Sequence, residues 1–407
     1  MSSNSRERTF PLESRDRRSK DIPALTGLRF VAAAYVVLFH TWPIFMPSRP
    51  GGLYWNQFVS LGYTAVSFFF VLSGFILATV YPKTESSAPL DRRAFWQARF
   101  ARIYPIYAVS MLVSAPFALA NRAGHEGVYR IGKAIFLCVT NGTLLQAWHP
   151  ALSGNWNRPS WSVSVEAFFY LVFPVLGAWV YRYRARLLLL IAGFWMSSLA
   201  TSMVCLALLP VSMESLPKLE ILLFNPILRL PEFLTGICFA ALMSRGGLRP
   251  VPRIALVGVL PGLLLVPLLV RLPWLVVSNG LLSPLFGIVI LSVATSGGRV
   301  VRLLQTPILV RLGHASFSMY LLHYPVLFWM TYLLKTGTVT AKLEGPWPIL
   351  ADSPAYLAAY LSLVIALALA SYSLIESPAR RQIRAWLSRP RDTKQVKSEV
   401  DAQAIAG

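Results

Sequence analysis

The amino-acid sequence predicts an all-α polytopic membrane protein with about ten transmembrane helices and both termini in the cytoplasm. Three observations predict it. Hydrophobic residues make up 55% of the 407 and charged residues only 14%, with a mean hydropathy of +0.55. Soluble domains carry about 25% charge, too much for this composition to match. Apolar runs of about 20 residues, the length that crosses a hydrocarbon core, recur along the chain. Finally, the net charge of +21 is concentrated in particular segments between those runs. A cytosolic enzyme, a disulfide scaffold and an ordinary nucleic-acid-binding protein are excluded, so no nucleic acid is expected among the partners and the lipid bilayer is.

The runs lie near 22–43, 61–80, 102–120, 161–180, 187–209, 220–243, 254–271, 274–296, 307–334 and 354–375. An eleventh, 131–148, is short and interrupted by Thr140, Asn141, Gly142 and Thr143. The basic residues arbitrate, because cytoplasmic loops collect Lys and Arg. With ten crossings and the N-terminus inside, 28 of the 38 basic residues fall on or at the inner side. If 131–148 also crossed, Arg182, Arg184 and Arg186 would lie outside. That segment is therefore expected to lie along, or dip into, the outer surface.

Residues 1–21 read as a polar cytosolic tail, 22–386 as the transmembrane domain and 387–407 as a second polar tail. The first run is too long for a signal-peptide core and shows no obvious cleavage site, so it reads as an uncleaved span. Cys138, Cys205 and Cys238 are scattered among apolar residues and imply neither a disulfide framework nor a metal site. His125 and His149 share a long outer loop but have no metal-ligand spacing.

Ionisable side chains inside spans are costly and face a protein interior or a cavity. The first run holds two, Arg29 and His40, eleven residues apart. That spacing puts them within about 20° of one helix face and about 17 Å apart along the axis. One stripe thus links the inner surface to a buried imidazole; a snorkelling arginine and a hydrogen-bonded interior histidine are the plainer alternative. Arg99 and Arg102 share a face at the start of the third run, where two guanidiniums suit a phosphate ester or simply set topology. Glu166, one turn inside the fourth run near Ser162 and Ser164, is placed to orient or protonate an imidazole, or to pair with a basic group. Arg229 and Glu232 bracket Pro231 as a local ion pair. Ser316, Tyr320 and His323 fall on one face of the ninth run, and Glu376 reads as a structural cap before Pro378.

In order along the chain, these segments resemble the acyltransferase-3 family of bacterial integral-membrane O-acyltransferases, from about residue 22 to 386. ALTGLRFVAAAYVVLFH is similar to the family's first-span signature, which supplies an arginine and a histidine, here Arg29 and His40. GYTAVSFFFVLSGFIL is similar to its second span, and FWQARFARIYPIY carries an RxxR pair as Arg99 and Arg102. PSWSVSVEAFFYLVFP is similar to the WSLSVE segment and maps its glutamate to Glu166. RLPEFLTG, HASFSMYLLH and IESPAR follow in order. EAFFY stands where the family often has EEQFY, so one polar residue is missing. The hydrolase-like extension that some members append is not expected here.

The resemblance implies transfer of an acyl group, most often acetyl, from cytosolic acetyl-CoA or another acyl-CoA to a hydroxyl of a cell-envelope or secreted glycan. It implies a bacterial cytoplasmic-membrane location, no metal, donor binding at Arg29, Arg99 and Arg102, and catalysis at His40, Glu166 and His323. Polysaccharide, oligosaccharide, lipid-linked sugar and a small antibiotic are all compatible acceptors. Acceptor choice is expected to depend on loops 121–160 and 335–353, where Trp148, Trp156 and Trp347 either stack on sugars or anchor at the interface. A proton-coupled transporter or glycan flippase would use the same buried His, Glu and Arg set without making a covalent bond.

Overall fold

The computed structural model describes residues 22–48, 50–81, 90–120, 128–208, 224–245, 265–334 and 353–387. Every regular element among them is a helix. The tails at 1–21 and 388–407, most of the run at 254–271 and most of loop 335–353 lie outside those residues.

The first span, α1, runs Pro23–Phe45 and begins with proline, whose fixed φ and missing N–H suit a helix start. Next come α2 (Gly52–Ser60), a 3-10 turn (Leu61–Tyr63) and α3 (Thr64–Val80), which together form one 29-residue apolar stretch. The helix α4 spans Arg92–Ala120 and so starts ten residues before the apolar run at 102. Its basic first turns are held by Phe95, which is buried, and by Trp96, whose indole N–H donates to the Tyr170 carbonyl over 3.1 Å. The α5 helix (Val128–Gly142) has 15 residues, a rise of about 22 Å, which is short of a hydrocarbon core. A 3-10 turn at Arg158–Ser160 leads into α6 (Trp161–Arg182), and α7 spans Leu187–Leu208.

Beyond α8 (Leu230–Ser244) comes a broken span, α9 (Trp274–Leu281) and α10 (Ser283–Thr295), bent by 42°. The short α11 (Arg299–Leu304) precedes α12 (Pro307–Leu334). Finally α13 (Pro354–Ser371) continues through a π turn at Tyr372–Glu376 into α14 (Ser377–Leu387).

By length and composition six helical stretches can cross a membrane, or seven if the bent pair α9–α10 is one span. The expected count of ten is thus only partly matched among the described residues. The run at 274–296 bends where Asn279 and Gly280 leave helical dihedrals. The run at 220–243 contributes only the 15-residue α8. The 28-residue α12 is about 42 Å long but is not among the six; it carries Arg311, His314 and His323 among its apolar residues.

Leu112, Leu188, Leu189, Leu208, Ile308, Leu333 and Leu374 are each 70% exposed or more. So many fully presented leucine-sized side chains suit hydrocarbon and not water. Inside them one continuous apolar cluster reaches from Ala24 to Ala368. Glycine sets its closest helix contacts. A Cβ on Gly313 of α12 would lie 1.9 Å from the Thr26 carbonyl of α1, and one on Gly27 would lie 2.0 Å from the Leu304 carbonyl. Between α3 and α8, Gly74 and Gly236 form a similar reciprocal contact. Backbones approach this closely only where no side chain intervenes. From the Gly313 contact α1 and α12 run in the same direction, which brings His40 and His323 together.

Candidate active site

The site is built where α1, α12 and the segment before α6 meet. His40 is half-buried on α1 and His323 is fully buried on α12. Although 283 residues separate them in sequence, His40 Nδ1 lies 3.2 Å from His323 Nε2, with ring centroids 5.2 Å apart. His40 Nδ1 also lies 3.0 Å from the Val36 carbonyl, and His323 Nδ1 lies 2.6 Å from the Tyr320 carbonyl.

These partners assign the protons. A carbonyl can only accept, so each Nδ1 that faces one carries the hydrogen. His323 Nε2 is then left with a lone pair, which accepts a share of the His40 Nδ1–H. His40 Nε2 is left with its own lone pair and makes no hydrogen bond among the described residues. The pair thus presents one imidazole nitrogen able to take a proton or attack a carbonyl, held by a second imidazole that fixes its tautomer.

Three aromatic residues frame the pair. Tyr324 packs edge-on against both rings, at 5.0 Å from His40 and 5.1 Å from His323. Tyr360 of α13 donates to the His323 carbonyl over 2.8 Å. The Tyr320 hydroxyl lies 2.8 Å from Ser162 Oγ and donates to the Pro159 carbonyl over 3.2 Å, which ties α12 to the start of α6. Asn157 adds a second tie by donating to the Leu321 carbonyl over 2.9 Å.

Glu166 stands apart from the histidines. It accepts from the Tyr170 hydroxyl and, over 3.3 Å, from Ser73 of α3; neither hydrogen bond goes to an imidazole. Its i+4 partner Tyr170 lies in the fields of Glu166, Arg99 and Arg102 together. The Arg99 guanidinium is boxed by the rings of Tyr81, Phe95 and Tyr170 at 5.6–5.9 Å and reaches the Tyr81 hydroxyl over 3.4 Å. Glu166 therefore joins the basic cluster of α4, whereas Ser164 is spent on the Leu144 carbonyl and the Ala147 N–H. Arg29 lies half-buried on the same uninterrupted helix as His40, eleven residues before it.

The remaining singled-out residues hold the scaffold. Arg229 and Glu232 form a buried ion pair of 3.1 Å, as their spacing suggests. Arg229 also donates to Ser67 of α3 and to the Ser278 carbonyl at the break in α9–α10. Glu376 pairs with Arg380 at 2.8 Å and accepts from Ser318 of α12 at 3.1 Å, so it clamps two helices; it does not cap one, because the helix runs on through Pro378 to Leu387. Residues that sequence reasoning passed over are Ser73, Asn157, Arg158, Tyr170 and Tyr324. Of these Tyr170 was legible, four residues beyond Glu166; the others act through contacts between distant segments.

Comparison with known proteins adds an independent line. A family model described as an acyltransferase domain matches residues 22–373. Acyltransferase MdmB of Streptomyces mycarofaciens is 30% identical over 332 residues, covering 75% of this chain and 79% of its own. A Staphylococcus aureus (strain COL) protein, provisionally named an O-acetyltransferase, is 22% identical over 401 residues. That match covers 92% of this chain but 60% of the staphylococcal one, so the chain spans under two thirds of that relative. Protein 2 in the picA locus of Rhizobium radiobacter is 34% identical over 165 residues, 38% of this chain and 81% of its own. No solved structure matches.

Proposed function

Because the chain belongs to the acyltransferase-3 family, we propose that it moves an acyl group, acetyl first of all, from acyl-CoA to a glycan hydroxyl. Acyltransferase activity comes with the family; the donor, the acceptor and the roles of individual residues are our reading. The observation that carries it is the His40–His323 contact, which leaves His40 Nε2 with a free lone pair where α1 meets α12.

In this reading His40 Nε2 takes the proton of the acceptor hydroxyl as the oxygen attacks the thioester carbonyl. The C–S bond then breaks, and the CoA thiolate recovers the proton from the imidazolium. His323 holds His40 in the productive tautomer. In a second branch Nε2 itself attacks the thioester, releases CoA and passes the acyl group on. A burst of CoA release before acceptor is added supports that branch; strict need for both substrates supports the first.

Arg99 and Arg102, with Arg29 at the same end of the helical layer, suit the donor's phosphates, since guanidinium pairs well with phosphate oxygens. Glu166 and Tyr170, bonded to each other beside those cations, are assigned to positioning the donor's path. The basic pole is placed at the cytoplasmic face of a bacterial inner membrane, with ten spans and both termini inside, on the distribution of Lys and Arg.

The test is CoA release by the purified protein given acetyl-CoA and a glycan acceptor, with mass spectrometry of the product. We expect His40→Ala to reduce turnover by about a thousandfold, the scale of losing a general base. Glycan movement without CoA release would sink the proposal in favour of a transporter.

A further inference from the structure

We propose that Arg158 selects the acceptor, and that the acceptor carries a negative charge, a carboxylate or phosphate, close to the hydroxyl that is acylated. The proposal rests on the acyl-transfer reading above and deepens it.

Arg158 sits in the 3-10 turn Arg158–Ser160 that leads into α6. In the stretch 157–160 Asn157, Pro159 and Ser160 are buried, and only Arg158 is exposed. The turn cannot drift from the histidine pair. Asn157 holds the Leu321 carbonyl, and the Tyr320 hydroxyl holds the Pro159 carbonyl, one turn before His323. Arg158 is close enough for its charge to act on both His40 and Tyr324. Among the described residues it has neither an acidic partner nor a hydrogen bond of its own. A cation held beside a reactive imidazole and left open to the outside is suited to an incoming anion.

Its position along the fold separates it from the donor's cations. Tyr170, which packs on Arg99, lies twelve residues beyond Arg158, a rise of about 18 Å toward the other end of α6. The histidine pair is level with the Arg158 end, where Tyr320 meets Ser162. A donor bound at Arg99 and Arg102 therefore approaches His40 from one side, and the group that meets Arg158 approaches from the other. Gln146 donates to the Ser160 carbonyl over 3.0 Å, a further tie that fixes the segment carrying Arg158. On a glycan acceptor, an anion beside the reacting hydroxyl describes a sugar acid or a sugar phosphate.

The experiment uses the full chain with acetyl-CoA and two probe acceptors that differ only in charge, methyl glucuronide and methyl glucoside. We expect kcat/KM for the glucuronide to exceed that for the glucoside by about tenfold or more, as one charge-assisted hydrogen bond supplies. Arg158→Gln should bring the ratio near one through the KM of the acidic probe, with kcat nearly unchanged, and Arg158→Lys should keep most of it. Equal His40-dependent turnover of the two probes by the unmodified protein overturns the assignment. So does an Arg158→Gln variant that loses both probes equally, the result expected of a lipid-phosphate anchor. If CoA release with both probes is absent or independent of His40, the acyl-transfer reading itself falls, and this one with it.

Discussion

The His40 Nδ1–H shared with His323 Nε2 gives His323, proposed here as a positioning group, a distinctive kinetic signature. Nothing else among the described residues hydrogen-bonds His40 except the Val36 carbonyl. With His323→Ala the His40 ring keeps its helix and its chemistry but loses its second anchor. Misplacement on the scale of an ångström costs about a hundredfold. We expect kcat to fall by that order with KM for acyl-CoA unchanged; a matching rise in KM would show that His323 serves donor binding instead. Arg99 predicts the opposite split. Removing it with Arg99→Ala takes away a charge boxed by three rings, and KM for acyl-CoA should rise about tenfold or more at nearly constant kcat. Steady-state kinetics on the two variants separate the two poles of the site.

Among the helices, the broken pair α9–α10 is the element with most at stake. Gly280 has a φ of +87°, and a Cβ there would lie 2.7 Å from Ser198 of α7. Arg229 fills the break from α8 by donating to the Ser278 carbonyl, with Glu232 as its counter-ion and Ser67 as a further acceptor. Truncating one partner of a buried pair leaves the other charge uncompensated, at a cost of about 3–5 kcal/mol. Glu232→Ala should therefore lower the unfolding temperature in detergent, or the yield of monodisperse protein, far more than Glu376→Ala. Arg380, the partner of Glu376, is partly exposed and can turn to solvent. The ion pair of Arg229 and Glu232 was readable from its i,i+3 spacing. The broken helix it supports was not, because positive φ at Gly280 leaves no trace in hydropathy. The early start of α4 was missed for a related reason: the basic residues of 92–102 mask a helix that is held by Phe95 and Trp96, not by apolar bulk.

For the molecule as a whole, charge and hydropathy act together. The apolar girdle marked by Leu112, Leu188, Leu333 and Leu374 suits lipid, and Arg99 and Arg102, the cations proposed to bind the donor, lie at the Tyr170 end of the site. The orientation proposed for the chain places that end inside. A cysteine introduced at Ser398 should then be labelled by a membrane-impermeant maleimide only in inverted vesicles; labelling of intact cells would reverse the orientation. The helical class was legible from the sequence alone, and so were the candidate residues Arg29, His40, Arg99, Arg102, Glu166 and His323; of the ten apolar runs, six or seven stretches among the described residues are long and apolar enough to cross. Hydropathy, charge placement and helical spacing are properties of the chain along its length, and so they survive without coordinates. What only the tertiary structure decided is which of those residues meet. His40 pairs with His323 because Gly313 lets α12 close on α1 at Thr26. Glu166 turns instead to Tyr170 and Ser73, and the turn that carries Arg158 is bonded to α12. These pairings depend on packing between helices far apart in the chain, which spacing within a single helix does not encode.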